Sequence, residues 1–313
     1  MNFMAKINIL FLGGAKRVSL AERFIDAGNI LGHEVSVLGY ELDSYVPLAA
    51  IGKIIIGKKW NDPELFSHIN STIADFQIDI ILPFVDPATT ILSKFRPENP
   101  KTFIPVSSGE TCNIFFDKIL ANNWFIENHF PVPGFQHEQF PLIAKPAKGS
   151  ASQGLIFIDS ESDFIDFQKY YDSNSYLIQK KIIGKEYTVD CYVGKDGEIK
   201  SVIPRIRLET NGGEVTKSKT IYHADIIRIS NEILKKAGFS GPITIQFLED
   251  EKGIYVMEIN PRFGGGVIAS IEAGANIPLF VLKDFLNLDI EAVKDFKVNK
   301  LMVRANREFF FDI

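Results

Sequence analysis

Apolar positions along the chain follow two rhythms. Over the first hundred or so residues, short apolar runs alternate with longer stretches of mixed character. Residues 7–12, 34–39, 53–56 and 78–83 have the length and the Ile, Val and Leu content of buried strands. Residues 17–31 repeat Leu20, Phe24, Ile25 and Leu31 at helical spacing, and residues 62–76 form a second such stretch with Pro63 in its first turn. Strand and helix in alternation predict an open, doubly wound parallel sheet, an α/β unit over residues 1–108.

The rhythm changes after that. Residues 116–130 predict a helix, and Pro131-Val132-Pro133-Gly134 then breaks the chain. Strands follow at 142–145, 155–158, 176–181, 186–193, 199–208, 244–248 and 255–259, with helices at 162–171, 224–237 and 266–275. Such a run of strands with interspersed helices predicts an α+β unit over residues 109–313. The apolar runs of 276–313 read equally as structural or as dimer-forming.

Composition narrows the function classes. Against 34 Lys and Arg stand 39 Asp and Glu, a net charge of −5, so a polyanion needs a local cation cluster to bind here. Nucleic acid and membrane are therefore not expected partners. The apolar run at 7–12 is too short to span a bilayer and no cleavage pattern follows it, so a cytoplasmic location is expected. The two cysteines, Cys112 and Cys191, lack metal-type spacing and read as unpaired thiols.

Chemistry concentrates in the final strand pair. Residues 244–248 and 255–259, joined by a polar loop, predict an antiparallel hairpin. Side chains alternate, so Ile245, Phe247, Met257 and Ile259 face a core, while Gln246, Glu258 and Asn260 share the other face, with Gln246 opposite Glu258. One carboxylate flanked by two amide oxygens suits a hard divalent cation whose shell is completed by phosphates; a polar, solvated sheet face is the plainer alternative. Arg262 and Phe263-Gly264-Gly265-Gly266 follow. Glycines let backbone N–H groups approach an anion, and Arg262 is suited to charge on a transferring phosphoryl group.

Other cations gather upstream. Lys145 sits in the strand Leu142-Ile143-Ala144-Lys145-Pro146, where a buried ammonium calls for an anionic partner. The small-residue loop from Lys148 to Gly154, with Ser150 and Ser152, reads as a phosphate cradle or as an ordinary turn; it is not a Walker A sequence. Gln179-Lys180-Lys181-Ile182-Ile183-Gly184 is a connector able to present backbone groups to a purine, with Glu186 placed for ribose hydroxyls; a plain linker is compatible with that. Arg205 and Arg207 share one strand face, as do Lys217 and Lys219, and paired arginines suit phosphate or carboxylate as well as a solvated basic face. Asp43 and Asp86 follow strands of the parallel sheet, at whose carboxyl ends ligands bind, although a capping or turn role is the first expectation for both.

These pieces in this order resemble the ATP-grasp superfamily, and within it the group similar to the carbamoyl phosphate synthetase large subunit. The resemblance implies a pre-ATP-grasp domain at 1–108, then a two-subdomain ATP-grasp fold at 109–313: a small nucleotide-binding part at about 109–180 and a metal and substrate part at about 181–313. It implies ATP and Mg²⁺ as cofactors, one or two ions, with Mn²⁺ an acceptable substitute. Lys118, Lys145 and Lys148 would meet phosphates, beneath a loop of Ser150, Ser152 and Gly154. Backbone of Gln179, Lys180 and Ile182 would meet adenine, and Glu186 the ribose. Gln246, Glu258 and Asn260 would bind metal, with Arg262, Lys145 and Arg205 as catalytic cations. A glutamine at position 246 is usual in the carbamoyl phosphate group.

The implied activity is a ligase that activates a carboxylate as an acyl phosphate for attack by an amine, a thiol or another nucleophile. Small-molecule substrates are the expected partners, and a homodimer is a candidate assembly. Phosphorylation of a small carboxylate or carbamate, and a non-catalytic ATP-binding regulator, are the alternatives. A nicotinamide enzyme fits poorly, because Gly13-Gly14-Ala15-Lys16-Arg17 lacks the G-x-G-x-x-G spacing.

Overall fold

A computed structural model describes residues 5–95, 97–135, 139–149 and 153–312. The first part is the expected parallel sheet. Strands β1 (Lys6–Leu12), β2 (Glu34–Glu41), β3 (Lys53–Ile56) and β4 (Ile80–Pro83) lie in the order β3-β2-β1-β4. Helices α1 (Val18–Ile30) and α2 (Leu65–Phe76) are the two crossover segments, and α3 (Asp86–Lys94) follows β4. One face of this sheet packs Ile9 and Phe11 with Leu20 and Phe24 of α1. The other packs Leu10 and Leu12 with Leu65, Ile69 and Ile73 of α2. Burial on both faces is why these strands read as continuous apolar runs.

The helix expected at 116–130 is α5 (Lys118–Glu127), and a further helix, α4 (Gly109–Phe116), precedes it. Asp117 between them is extended, and its Oδ1 accepts the N–H groups of Ile119 and Leu120 at 3.0 and 3.2 Å. An aspartate in that position starts a new helix rather than continuing the old one. A three-stranded sheet follows, β6-β5-β7, from β5 (Leu142–Pro146), β6 (Ile156–Ile158) and β7 (Tyr176–Lys180), with α6 (Glu161–Tyr170) against it. It has a core of its own, Leu142, Ala144, Ile158, Phe164 and Phe167.

The largest sheet is antiparallel, in the order β12-β11-β8-β9-β10-β13. Its strands are β8 (Lys185–Val193), β9 (Ile199–Asn211), β10 (Glu214–Thr220), β11 (Gly241–Asp250), β12 (Gly253–Asn260) and β13 (Leu301–Val303). Helix α7 (Ala224–Ala237) shows why one face is buried. Ile226, Ile229, Ile233 and Leu234 recur at helical spacing, His223 caps the start, and Gly238 closes the end in a left-handed conformation. These side chains pack on Val189, Cys191, Ile245 and Phe247. Burying each stabilises the fold by about 1.5–3 kcal/mol. The opposite face of the same sheet carries the polar residues.

The chain then makes α8 (Ile268–Glu272), shorter than the helix expected at 266–275, and α9 (Ile277–Phe285). Among the apolar residues of the last segment, Ile290, Val293 and Phe296 pack on the core that β1 and α1 share with α9. β13 pairs with β10, matching Ser218 with Met302. No helix among the described residues is long and apolar enough to cross a membrane.

Candidate active site

The hairpin of β11 and β12 forms with Gln246 opposite Glu258 and Thr244 opposite Asn260. Asp250 Oδ1 accepts the N–H groups of Lys252 and Gly253 at 2.8 and 3.2 Å, which fixes the turn and therefore the register. The core face differs from expectation in one residue. The pairing shifts after Gln246, so Phe247 faces Val256 and Met257 is an extra residue in a bulge. Val256, not Met257, is the core residue, 1% exposed. The polar set is unaffected, because the shift falls on the turn side of Glu258.

That polar set is knitted together. The Asn260 amide donates to Glu258 Oε1 at 2.9 Å, and Arg262 Nη2 donates to Asn260 Oδ1 at 3.2 Å. Arg207 Nη1 reaches Gln246 Oε1 at 3.4 Å, and its Nε lies 3.3 Å from Glu186 Oε2. The expected ribose ligand Glu186 is thus placed beside an arginine at the edge of the same face. Each amide oxygen has two lone pairs, so the arginine contacts leave Gln246 and Asn260 one acceptor site apiece. With Glu258 they make an all-oxygen donor set holding a single carboxylate. This fits Mg²⁺ completed by phosphate oxygens better than it fits a zinc-type centre. No cluster of three His, Cys, Asp or Glu suited to a metal occurs among the described residues.

Asp86 is the residue that sequence reasoning missed. It stands in the first turn of α3, where a local cap was expected, yet its Oδ1 accepts from Arg262 Nε at 2.6 Å. The pair crosses 176 positions of sequence, so no local signal could reveal it. The plain expectation for Asp43 holds, for its Oδ1 accepts the N–H of Tyr45 at 2.8 Å. A small chamber at this point is lined by Asp86, Thr90, Lys118, Gly149, Glu258 and Asn260. It brings together residues of all three sheets or their connections.

Lys118 lines it, and Lys145 lies within Coulombic reach of Lys118 and Glu258. Lys118 Nζ donates to the Gly149 carbonyl at 2.6 Å. Lys145 Nζ donates to Gln179 Oε1 at 3.2 Å, and Gln179 in turn donates to Asn122 at 2.8 Å. Burial lowers the Lys145 ammonium to about 8, Glu258 partly restores it and Lys118 lowers it further. Two cations and a carboxylate within Coulombic reach form a place where a polyanion relieves strain between like charges. Lys148 is exposed and Gly154 occupies a turn with φ +70°, while Ser150 and Ser152 lie outside the described residues.

Three expected roles need revision. Arg205, expected as a catalytic cation, is 2% exposed and donates from Nε to Asp190 Oδ2 at 2.8 Å. Ser270 Oγ donates to the same oxygen at 2.6 Å. The glycine loop lies directly on this pair: a Cβ at Gly266 would come 2.7 Å from the Arg205 guanidinium, and one at Gly264 would come 2.8 Å from Asp190 Oδ1. Arg205 therefore supports the loop from beneath and does not reach the chamber. Gln179 is 2% exposed and acts through its side chain, holding Lys145. In the connector, the Lys180 and Lys181 N–H groups already donate to Gly134 and Pro141, at 2.8 and 3.0 Å. They are not available to a purine edge.

The chain is similar to several known proteins. Residues 172–308 match the family model described as ATP-grasp in the biosynthetic pathway with Ter operon. The carbamoyl phosphate synthase large chain of Clostridium beijerinckii is 31% identical over 143 residues, covering 40% of this chain and 13% of that one. Among solved structures, the biotin carboxylase domain of Hydrogenobacter thermophilus 2-oxoglutarate carboxylase, in complex with MgADP and bicarbonate, superposes with a TM-score of 0.73. It covers 94% of this chain and 73% of that one at 16% identity. An L-amino acid ligase from Bacillus licheniformis gives a TM-score of 0.67, covering 91% of this chain and 75% of that one at 15% identity.

Proposed function

We propose that this chain, which matches an ATP-grasp family model over residues 172–308, is an ATP- and Mg²⁺-dependent ligase. It activates a substrate carboxylate as an acyl phosphate, which an amine or another nucleophile then attacks. The observation that carries the reading is the meeting of Lys118, Glu258 and Asn260 on one chamber, with Arg262 bonded to Asp86 and Asn260 of its lining and Lys145 within Coulombic reach of Lys118 and Glu258. A regulator that only bound ATP would have no need of an arginine held at the end of the phosphates by a distant aspartate.

Lys118 and Lys145 neutralise the triphosphate, and the partly buried setting of Lys145 strengthens that attraction. Gln246, Glu258 and Asn260 would hold Mg²⁺, which when bound supplies charge neutralisation and polarises the phosphoryl oxygens. A carboxylate oxygen attacks the γ-phosphorus and ADP leaves. Arg262, aimed by Asp86, stabilises charge on the phosphoryl group in flight. The nucleophile then attacks the acyl carbon and phosphate departs. Most of the acceleration comes from positioning and fixed charge.

Phosphate release from MgATP, measured across a panel of carboxylates paired with amines, tests this. Turnover should require both Mg²⁺ and a carboxylate. Glu258→Gln should lower it by about 10³-fold, because one carboxylate carries the charge of the donor set, with an unchanged circular dichroism spectrum. Turnover at the wild-type rate in that variant would sink the metal assignment.

A further inference from the structure

A second cleft opens on the parallel sheet. The order β3-β2-β1-β4 reverses between β1 and β4. Ligands of open parallel sheets bind at the carboxyl ends of the strands beside such a reversal. A cavity of about 910 Å³ lies there, lined by Gly13 after β1, Glu41 at the end of β2 and Val85 after β4. Its walls are mostly apolar, with Leu42, Val46, Trp60, Ile91 and Phe116. Leu42 is 63% exposed although it is a leucine beside a concave surface, and such a surface is a usual setting for a small-molecule ligand.

The charged groups on the lining are Glu41, Asp43, Lys58 and Lys59. The backbone N–H groups of Gly14 and Ala15 favour the ionised Glu41 carboxyl, but less than burial opposes it. That turn leads into α1, so the carboxylate lies close to the start of that helix. Glu41 Oε1 has no hydrogen-bond partner, and burial pushes the carboxyl up to about 7. Its ionised form is thus short of compensating positive charge. Asp43 lies beside it on the lining. Of the two lysines, Lys58 is paired with Glu64 at 2.7 Å and Lys59 is exposed.

We propose that this cleft binds the nucleophilic substrate, and that this substrate is a primary amine bearing a large apolar group. The ammonium sits near Glu41 and Asp43, and the apolar body lies against Trp60 and Leu42. The assignment of the amine as nucleophile rests on the ligase reading above. Location supports it, because Thr90 and Phe116 line both this cleft and the chamber of Lys118, Glu258 and Asn260. The first turns of α3 are the shared wall, with Asp86 and Thr90 on the chamber side and Pro87 and Thr90 on the cleft side. A second substrate held here borders the place where the acyl phosphate forms.

Trp60 provides the probe. Tryptophan emission of the whole chain is titrated at pH 8, without ATP, with 2-phenylethylamine, 3-phenylpropanoate and ethanolamine. A saturable change is expected with 2-phenylethylamine alone. Glu41→Gln, which keeps an acceptor for the Gly14 and Ala15 N–H groups, should weaken it about tenfold by removing a charge-assisted contact. Leu42→Arg, at an exposed position where the fold is not at stake, should abolish it. The proposal is overturned if 3-phenylpropanoate or ethanolamine binds as tightly as 2-phenylethylamine, if the amine gives no saturable change, or if both variants bind it like wild type. Because no nucleotide is present, these outcomes are independent of phosphate release, which judges the ligase reading separately.

Discussion

Two aspartate–arginine pairs lie on either side of the glycine loop, and their bond lengths barely differ: 2.8 Å for Asp190–Arg205 and 2.6 Å for Asp86–Arg262. Their surroundings differ sharply. The Arg205 and Asp190 side chains are 2% and 1% exposed, whereas Arg262 and Asp86 are 15% and 13% exposed. The first pair joins two adjacent strands of one sheet and carries the loop backbone on top of it. The second joins a helix of the parallel sheet to the end of the hairpin and opens on the chamber. Equal chemistry thus serves two ends: a guanidinium shut away from solvent holds up the fold, while one with a face still open can meet a substrate.

Substitutions can break that contrast. The largest effect is expected for Arg205→Met, which strands the Asp190 charge in the interior. Urea unfolding should show a loss of about 3–5 kcal/mol, the usual result of removing one partner of a buried pair. A midpoint equal to that of wild type would mean that the pair is not a support. Arg262→Met should do the reverse. Phosphate release should fall by about 10²- to 10³-fold while unfolding moves by less than about 1 kcal/mol. Were its stability to drop as far as that of the Arg205 variant, the two arginines would be doing the same job. Asp86→Asn sharpens the picture with the smallest change. It keeps an acceptor for Arg262 and removes only charge, so turnover should fall by about tenfold or less with stability intact.

The legibility of the site in the sequence follows from the same contrast. Periodicity gave both sheet types and the register of the hairpin, because a turn fixed by Asp250 and Gly253 leaves only one way to pair Gln246 with Glu258. The bulge at Met257 was not readable, since it answers to packing of Val256 on residues far along the chain. The break at Asp117 could have been found, for an aspartate two residues before Ile119 is a helix-start signal within a longer apolar pattern. Arg205 was misplaced for a subtler reason. Alternation puts it on the polar face correctly, but only the tertiary fold reveals that the glycine loop covers that end of the face. Asp86 was hidden because its partner is remote in sequence.

Phe263, the residue after Arg262, has a mechanical consequence. It is 1% exposed and stacks on Phe84 at 5.8 Å and edge-on to Phe24 at 6.0 Å, both from the parallel-sheet part. Swinging the hairpin away from that part would strip this ring of its neighbours, at about 1.5–3 kcal/mol for the one side chain. Among the described residues, the buried core of the small sheet β6-β5-β7 is Leu142, Ala144, Ile158, Phe164 and Phe167, with no member from the parallel-sheet part. The end of the hairpin that carries Arg262 is therefore fastened to the parallel sheet by the aromatic ring next to it in the chain.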